Sequence, residues 1–463
     1  MPQLQDCRGV PHTAANQDAL DAYDRVIKAY MGFRVDIGDR LKEALTADAD
    51  MPMAHVLRGY LFQLMGLKPL NERAKKTAEH ARALTAEGNE HEQLHAAVLT
   101  SWANGDTKGA AVILEQILLD HPLDLLAIRT AHYLHFYSGD TTAHRDSISR
   151  IMPAWDEEVP GYSYLMGMRA FSLEEAGHYD EAETAGRVAV DLDHTDTWAI
   201  HAVTHVMEML GRQQEGIEWV NRHVDEWDGV VHQFANHLWW HLALFHLALR
   251  QHDEVLDVYD KRIWAAPSED GLDISNATSM LMRLSFRGLD VGDRWQDLAE
   301  QVSGRLHEHL LPFNDAHFMM PLAMQHDEPR AAGYLASMRQ YVDTNDNSIS
   351  EVMGDVSVNL AESIWAFGQA DYDRTVAFML PIRYRLHGIG GSHAQRDVFH
   401  TMLAVAAVRA ERTALARALW AERIDRQKNC AWSWQCYADA LGAAGHSKAA
   451  DEARERATAI ASV

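Results

Sequence analysis

The feature that most constrains this sequence is a short turn that returns at nearly constant spacing between long helical segments. The turn positions are Gly66, Gly105, Gly139, Gly177, Gly211 and Arg250, in steps of 39, 34, 38, 34 and 39 residues. The segments between them are rich in Ala, Leu, Glu and Arg and show almost no period-two alternation, which is typical of helices. A unit of this length holds two helices but cannot bury its apolar face alone. We therefore expect an all-α chain, without strands, in which successive helix pairs stack.

Two of the steps equal 34 residues, the period of the tetratricopeptide repeat. With the turn called position 15, small residues fall at positions 8 and 20 and a proline at position 32. They are Ala170, Ala243, Ala361 and Ala438, then Ala110, Ala182 and Ala450, and Pro122. This frame predicts an α-solenoid of degenerate tetratricopeptide-like helix pairs, one domain over 1–463 wound tightly around a central pocket. The frame is lost over 268–359, where we expect an irregular helical insertion.

The charge of the chain argues against two classes of partner. Asp and Glu number 67 and Lys and Arg number 42, which gives a formal net charge of -25. Such a charge repels phosphate backbones and anionic lipid surfaces. We therefore expect neither a nucleic-acid nor a membrane partner.

The cysteines and the N-terminus indicate the compartment. Cys7, Cys430 and Cys436 form neither a C-x-x-C pair nor a regularly spaced set, so no disulfide framework is expected. The N-terminus lacks the basic region and apolar core of a signal peptide, and the longest apolar run ends at Arg409. We expect a cytoplasmic protein.

Histidines are concentrated in one part of the chain, with nine of the 27 lying between positions 194 and 252. The repeat register places positions 2, 5, 9 and 12 of each first helix on the inner face of a solenoid. In two neighbouring helices the residues on or beside that face are Trp198, His201, His205 and Glu208, then His237, Trp240 and His241. Imidazoles and a carboxylate gathered in this way can bind a divalent metal or transfer protons. They can equally form a hydrogen-bonded polar core.

The same register points other aromatic and polar side chains inward, among them Arg129, Tyr133 and Tyr164. A groove of rings with a few charged groups suits an organic small molecule or a peptide. The alternative is that large side chains merely fill the axis of the solenoid.

A second polar stretch begins at the glycine pair 390–391. Ser392 and Gln395 have the spacing of a capping box, which predicts that a helix begins here. Its first turn carries His393, Arg396 and Asp397. Exposed N–H groups, the helix dipole and the guanidinium could together hold a carboxylate or another oxyanion.

A third group of polar residues lies where the register has lapsed. Asp315 and His317 are further candidates for substrate contact, and Asp273, Asn276 and Arg283 precede them. The sequence does not give the orientation of these five side chains, which could also cap helices.

These stretches together resemble the tetratricopeptide repeat protein 38 family, and they span most of the chain. They are HAVTHVMEMLGR at 201–212, HLWWHLAL at 237–244, DVGDRW at 290–295, FNDAH at 313–317 and GGSHAQRDVF at 390–399. The resemblance implies a full-length helical-repeat protein without partner domains. It implies no particular reaction. Polar signatures in a solenoid indicate a site more than a core.

Two functions fit these observations. In the first, the protein is an enzyme in which His201, His205, Glu208, His237 and His241 activate water, with or without a divalent metal, to hydrolyse an amide or ester bond. The sequence contains no G-x-S-x-G, phosphate-loop or dinucleotide motif, which argues against covalent serine, nucleotide and hydride-transfer chemistry. In the second, the protein is a non-catalytic scaffold that binds a peptide or protein. Grooves of that kind usually present Lys, Arg and Asn, so the His, Trp, Tyr and Glu here favour the enzyme. The sequence does not give the substrate or the oligomeric state.

Overall fold

The computed structural model describes residues 2–86 and 88–461 of the chain. Helices make up most of them. In chain order these are α1 (Gln17–Met31), α2 (Ile37–Ala47), α3 (Pro52–Leu64), α4 (Lys68–Thr85), α5 (Glu90–Ala103), α6 (Thr107–Asp120), α7 (Leu125–Ser138), α8 (Thr141–Ile151), α9 (Tyr162–Glu175), α10 (Tyr179–Leu192), α11 (Thr197–Leu210), α12 (Gln213–Arg222), α13 (His232–Ala248), α14 (His252–Val258), α15 (Gly271–Phe286), α16 (Arg294–Ser303), α17 (Pro312–Met324), α18 (Glu328–Thr344), α19 (Ser348–Val352), α20 (Val358–Gly368), α21 (Tyr372–Met379), α22 (His393–Arg409), α23 (Thr413–Arg426), α24 (Ala431–Ala443) and α25 (Ser447–Ala461).

A short hairpin precedes the helices. Its strands β1 (Gln3–Gln5) and β2 (Pro11–Thr13) pair antiparallel. The connecting turn is held by Asp6, whose Oδ1 accepts hydrogen bonds from the backbone N–H groups of Arg8 at 2.8 Å and Val10 at 2.9 Å. The expectation of no strands is wrong here, because a strand of three residues is too short to show alternation.

One turn geometry closes the first helix of each helix pair. Its residues have φ between 53° and 83° and are Phe33, Gly66, Gly105, Gly139, Gly177, Gly211, Arg250, Gly288, His326, Ala370, Glu411 and Gly445. Glycine adopts this left-handed conformation without strain, whereas another residue costs about 1 kcal/mol or more. The all-α repeat architecture predicted from the first six turns therefore continues to the last pair.

The segment 268–359 differs from the irregular insertion that the sequence predicts. It holds the helix pairs α15–α16 and α17–α18, with left-handed turns at Gly288 and His326. Only α19 and the π-helical turn that follows it, Met353–Ser357, depart from the repeat. A histidine stands at the turn position of α17–α18.

Aspartates start several of the helices. Asp106, Asp124 and Asp140 are the N-caps of α6, α7 and α8, and Oδ1 of each accepts a hydrogen bond from the backbone N–H three residues later, at 2.9 to 3.0 Å. Such caps satisfy donors that a helix start leaves without partners.

The small residues of the repeat lie where helices touch. The alanines Ala110, Ala170, Ala182, Ala243, Ala361, Ala438 and Ala450 are all buried, with at most 1% of their surface exposed. A larger side chain at such a position would force the two helices of a pair apart.

The described residues divide into two compact units. The first comprises 1–203, 225–235 and 345–352, and the second comprises 204–224, 236–344 and 353–463. The division falls inside α11 and inside α13. In the first unit α3 packs against α4 and α5, and in the second α17 packs against α15 and α20. A single domain over 1–463 stays a prediction.

Candidate functional site

Three histidines of the second unit lie together. His205 is on α11, and His237 and His241 stand one turn apart on α13. The ring centroids of His205 and His241 are 4.4 Å apart, and those of His237 and His241 are 4.8 Å apart. Each ring offers a nitrogen within 4.8 Å of the others, and all three side chains are buried.

Two of these rings are oriented by side-chain oxygens. Nδ1 of His241 donates to Oε2 of Glu208 at 2.9 Å, and Nδ1 of His237 donates to Oδ1 of Asn276 at 3.0 Å. In the neutral tautomer that this bonding favours, Nε2 of each ring carries the lone pair. A carboxylate or amide behind an imidazole is the usual support of a metal-binding or proton-accepting histidine.

Burial keeps these imidazoles neutral. It lowers the pKa of His237 to about 4, despite the hydrogen bond that the ring donates to Asn276, which raises it. Burial also lowers the pKa of His205 well below its ordinary value, and the neighbouring His237 adds to the effect. At neutral pH both rings can therefore act as metal ligands or as bases.

The polar side chains of α15, which the sequence left without orientation, face α13. Oδ1 of Asp273 accepts from Nδ2 of Asn236 at 3.0 Å, and Oγ of Ser279 accepts from Nε1 of Trp240 at 3.1 Å. The Arg283 guanidinium lies 5.3 Å from the Trp240 ring centroid. Trp240, a candidate substrate contact, is fully buried in this packing.

A cleft of the second unit opens beside the histidines. Its cavity volume is about 70 Å³. Residues on its walls include Glu208, Phe245, Arg283, Arg287, Asp397 and Arg423. Glu208 belongs to both features, because its carboxylate borders the cleft and accepts the hydrogen bond from His241. The cleft and the histidine group are therefore linked by one side chain.

One ion pair in the cleft is already complete. Both carboxylate oxygens of Asp397 accept hydrogen bonds from Arg423, the longer of the two at 2.9 Å, and Nε of Arg423 donates to Oγ of Ser433 at 3.0 Å. Burial raises the pKa of Asp397, but Arg423 outweighs burial and lowers it overall. Asp397, a predicted substrate contact, thus borders the cleft with its charge neutralised.

Two further arginines of the cleft form no direct ion pair within the described residues, although the charges of Asp397 and Glu208 act on one of them, Arg283. Nη1 and Nη2 of Arg283 donate to backbone carbonyls, those of Ser279 at 3.2 Å and Ala394 at 2.7 Å. Nη1 of Arg287 donates to the carbonyl of Arg283 at 3.0 Å, and its guanidinium lies 4.0 Å from the Trp432 ring centroid. Burial lowers the pKa of both arginines to about 10, so both stay charged at neutral pH. The cleft therefore carries net positive charge.

The helix that begins after Ser392 has the predicted capping box. Its Arg396 guanidinium, however, does not form the predicted oxyanion site. Oγ of Ser392 accepts from the Gln395 N–H at 3.1 Å, and Oε1 of Gln395 accepts from the Ser392 N–H at 2.8 Å. Arg396 is buried and donates to the carbonyls of Gly390 and Gly391. Unlike the expected oxyanion site, this guanidinium is turned back on its own loop, and His393 is exposed.

Asp315 and His317 contact other parts of the second unit. Oδ1 of Asp315 accepts from Tyr334 Oη at 2.5 Å and from His309 Nδ1 at 2.9 Å. Nδ1 of His317 donates to the Phe313 carbonyl at 2.8 Å, and burial lowers the His317 pKa to about 3. Neither residue is among those that line the cleft: Asp315 joins α17 to α18, whereas the hydrogen bond of His317 lies within α17.

The remaining candidates belong to the first unit. His201 lies one turn before His205 on α11, and its ring centroid is 5.1 Å from that of Trp198. Its convergence with the other histidines stays a prediction. The buried Arg129 guanidinium lies 4.6 Å from the Trp198 ring centroid and 4.8 Å from that of Tyr133. Tyr164 is half-buried, which raises its pKa.

Sequence reasoning missed two sets of residues. Arg287 and Arg423 of the cleft follow no motif, although Arg287 stands one turn after Arg283. In the first unit, His91, His95 and Asp124 also form a buried group. Its signal was present, since residues 91–95 read His-Glu-Gln-Leu-His, the H-E-x-x-H spacing of metal-binding helices.

No protein-family model matches the chain. Among solved structures, the human IFIT1 dimer with m7Gppp-AAAA matches 97% of this chain and 96% of its own, at 13% identity and a TM-score of 0.40. Yeast Tom70 matches 95% of this chain and 96% of its own, at 12% identity and a TM-score of 0.35. Sequence identities and TM-scores this low say nothing about the ligands of this chain. The chain has the architecture of tetratricopeptide-type helical-repeat proteins, and membership of the tetratricopeptide repeat protein 38 family stays a prediction.

Proposed function

We propose that this protein is a helical-repeat receptor for a small organic anion, which binds in the cleft of the second unit. The observation that carries the proposal is the pair Arg283 and Arg287. Their guanidiniums border the cleft and form no ion pair among the described residues, in a chain whose formal charge is -25. A guanidinium prefers a carboxylate or phosphate because its N–H groups match two oxygens at once.

The walls of the cleft limit the ligand further. Leu244, Phe245, Leu247 and Ala248 add apolar groups to these walls. A cavity of about 70 Å³ admits a small ligand, or a small part of one, rather than a folded partner. The ligand class that fits is a carboxylate with a hydrocarbon or aromatic body, either free or as the C-terminal residue of a peptide.

The binding proposal is tested with a panel of carboxylates and two arginine variants. Thermal shift is measured with short aliphatic acids, aromatic acids, and peptides with free or amidated C-termini. Arg287→Gln should lose the shift, with affinity weakened at least about 10-fold, since a hydrogen bond to a charged group contributes about 1.5 to 3 kcal/mol. Arg385→Gln is the matched control, because Arg385 is exposed and absent from the cleft walls.

The panel also separates the two sources of the carboxylate. Free acids that bind when peptides do not support a small-molecule receptor, and the reverse supports the peptide-binding scaffold. Equal shifts for Arg287→Gln and the unmodified protein would contradict the cleft as the site.

Acid–base catalysis is a second candidate, and Glu208 favours it. Glu208 borders the cleft and holds His241, so a proton taken from a water in the cleft could pass to this pair. The amide Nδ2 of Asn276 is buried without a hydrogen-bond acceptor among the described residues. A bound water or substrate oxygen would satisfy it.

Hydrolysis tests this second candidate separately from binding. Esters and amides of the acids that bind are incubated with the protein, with and without added Zn²⁺. Glu208→Gln should leave acid binding within about threefold but abolish turnover, because the amide keeps the shape and loses the base. Turnover that survives in Glu208→Gln, or no turnover with any bound ester, would leave a receptor only.

A further inference from the structure

The first unit contains a group of donors that the proposed function does not use. His91 and His95 stand one turn apart on α5, with their ring centroids 4.8 Å apart. Oδ2 of Asp124 lies 2.5 Å from Nε2 of His91 and 2.8 Å from Nε2 of His95. All three side chains are at least 95% buried. From this arrangement we propose that the first unit binds a divalent metal ion, of the zinc class, through His91, His95 and Asp124.

The backbone fixes the positions of the three donors. Residues i and i+4 of a helix share one face, so both imidazoles of α5 point the same way. Asp124 is the N-cap of α7, and its Oδ1 accepts from the Ala127 N–H at 3.0 Å. This bond holds the second oxygen, Oδ2, towards α5. The three donor atoms lie within 4.8 Å of one another without any change of backbone.

The donor set selects the metal. Two imidazoles and one carboxylate are typical of Zn²⁺, whereas Ca²⁺ and Mg²⁺ prefer oxygen ligands alone. His95 also has the supporting contact that metal-binding histidines usually show, because its Nδ1 lies 3.1 Å from Tyr60 Oη. Three protein ligands leave a fourth position for water.

The glutamate of the H-E-x-x-H spacing indicates a structural rather than a catalytic metal. In hydrolytic sites of this pattern the glutamate acts as the base for the metal-bound water. Here the two carboxylate oxygens of Glu92 accept from the N–H and Oγ1–H of Thr13, each at 2.7 Å. Glu92 therefore ties β2 to α5. A metal beside it would join α5 to α7, so that hairpin and helices form one cross-linked element.

The experiment removes the other histidine group first. The His237→Gln variant lacks one metal-binding candidate of the second unit. Metal that this variant binds therefore reports on the first unit. After treatment with a chelator and dialysis against Zn²⁺, this variant should retain about one zinc per chain. Adding Asp124→Asn or His91→Gln should weaken zinc binding at least about 10-fold. Adding His55→Gln, at a buried histidine of the same unit whose ring nitrogens contact the Ala49 carbonyl and Arg58, should change nothing.

A second readout covers variants that fail to fold. Hydrogen exchange of the His237→Gln variant is compared with and without Zn²⁺, and zinc should slow exchange in 3–13 and 90–103. No zinc in the His237→Gln variant, or zinc binding that Asp124→Asn leaves unchanged, would overturn the proposal. Unchanged exchange in those segments would overturn it too. These outcomes are independent of carboxylate binding in the second unit.

Discussion

Buried histidines of this chain are oriented by oxygen atoms a few ångströms away, and each pairing has consequences for protonation. His317 donates to the Phe313 carbonyl, His237 to Asn276 and His241 to Glu208. Where no carboxylate compensates for burial, the neutral ring is favoured in the folded state. Unfolding then allows the ring to take up a proton, so acid destabilises the fold.

His317 provides the residue-scale prediction. Its pKa is about 3 in the folded chain, mainly because of burial, and about 6.5 when unfolded. The unfolded state binds more protons between these values, so the stability contributed by the neutral ring is complete above pH 6.5 and is lost as pH falls. When the pH is lowered from 7.5 to 5.5, the free energy of unfolding should fall in both proteins. We expect the fall to be about 1.4 kcal/mol smaller in His317→Phe than in the unmodified protein. Urea unfolding at the two pH values measures the difference.

The control is His194→Gln, since the His194 side chain is 73% exposed. This variant should show the same pH dependence as the unmodified protein. If His317→Phe loses as much stability on acidification as His194→Gln does, the protonation argument is incorrect.

At the scale of elements, most turns that the sequence specified are glycines, and several that it missed are occupied by other residues. Gly139 and Gly177 could be recognised because glycine favours a positive φ. His326, Ala370 and Glu411 adopt the same conformation because the packing of their helix pairs imposes it, and no local preference reveals that. The side-chain directions of α15 could not be predicted for the same reason, since the register that would orient them had lapsed.

Some features of the candidate site were likewise predictable from the sequence, and others were not. The spacing of His237 and His241 predicted correctly that they share a face, and the Ser392 capping box was predicted with its helix. The direction of Arg396 was not predictable, because it depends on whether the Gly390 and Gly391 carbonyls or a ligand accept its hydrogen bonds. Arg287 and Arg423 meet only through the fold of the second unit, so no linear pattern could identify them.

Ala370 provides the element-scale prediction. Its φ of 58° strains an alanine, and Ala370→Gly should relieve that strain and raise the unfolding free energy by about 0.5 to 1 kcal/mol. Ala418→Gly, at an exposed position inside α23, should lower it by about the same amount because glycine disfavours a helix. Chemical denaturation measures both, and destabilisation by Ala370→Gly would show that the strain is absent.

At the scale of the whole molecule, the net charge of the chain disfavours a polyanionic partner more than a small ligand with a single carboxylate. Here the formal charge of -25 opposes a polyanion, whereas the cleft arginines can still hold a single carboxylate. None of the described helices is long and apolar enough to cross a membrane.

Binding of RNA is therefore expected to fail at physiological salt. Fluorescence anisotropy with single-stranded RNA, bearing either a 5′-hydroxyl or a 5′-triphosphate, should show no saturable binding at micromolar protein. Saturable binding that Arg287→Gln abolishes would place a nucleic acid in the cleft and contradict the charge argument.

The most direct measurement of the central claim compares one ligand in two charge states. The acid that binds best and its methyl ester are titrated calorimetrically into the unmodified protein and into Arg287→Gln. A cleft that recognises a carboxylate through Arg283 and Arg287 predicts that the acid binds the unmodified protein at least about 10-fold more tightly than the ester, and that the variant removes this preference. Equal affinity of acid and ester for the unmodified protein would contradict it.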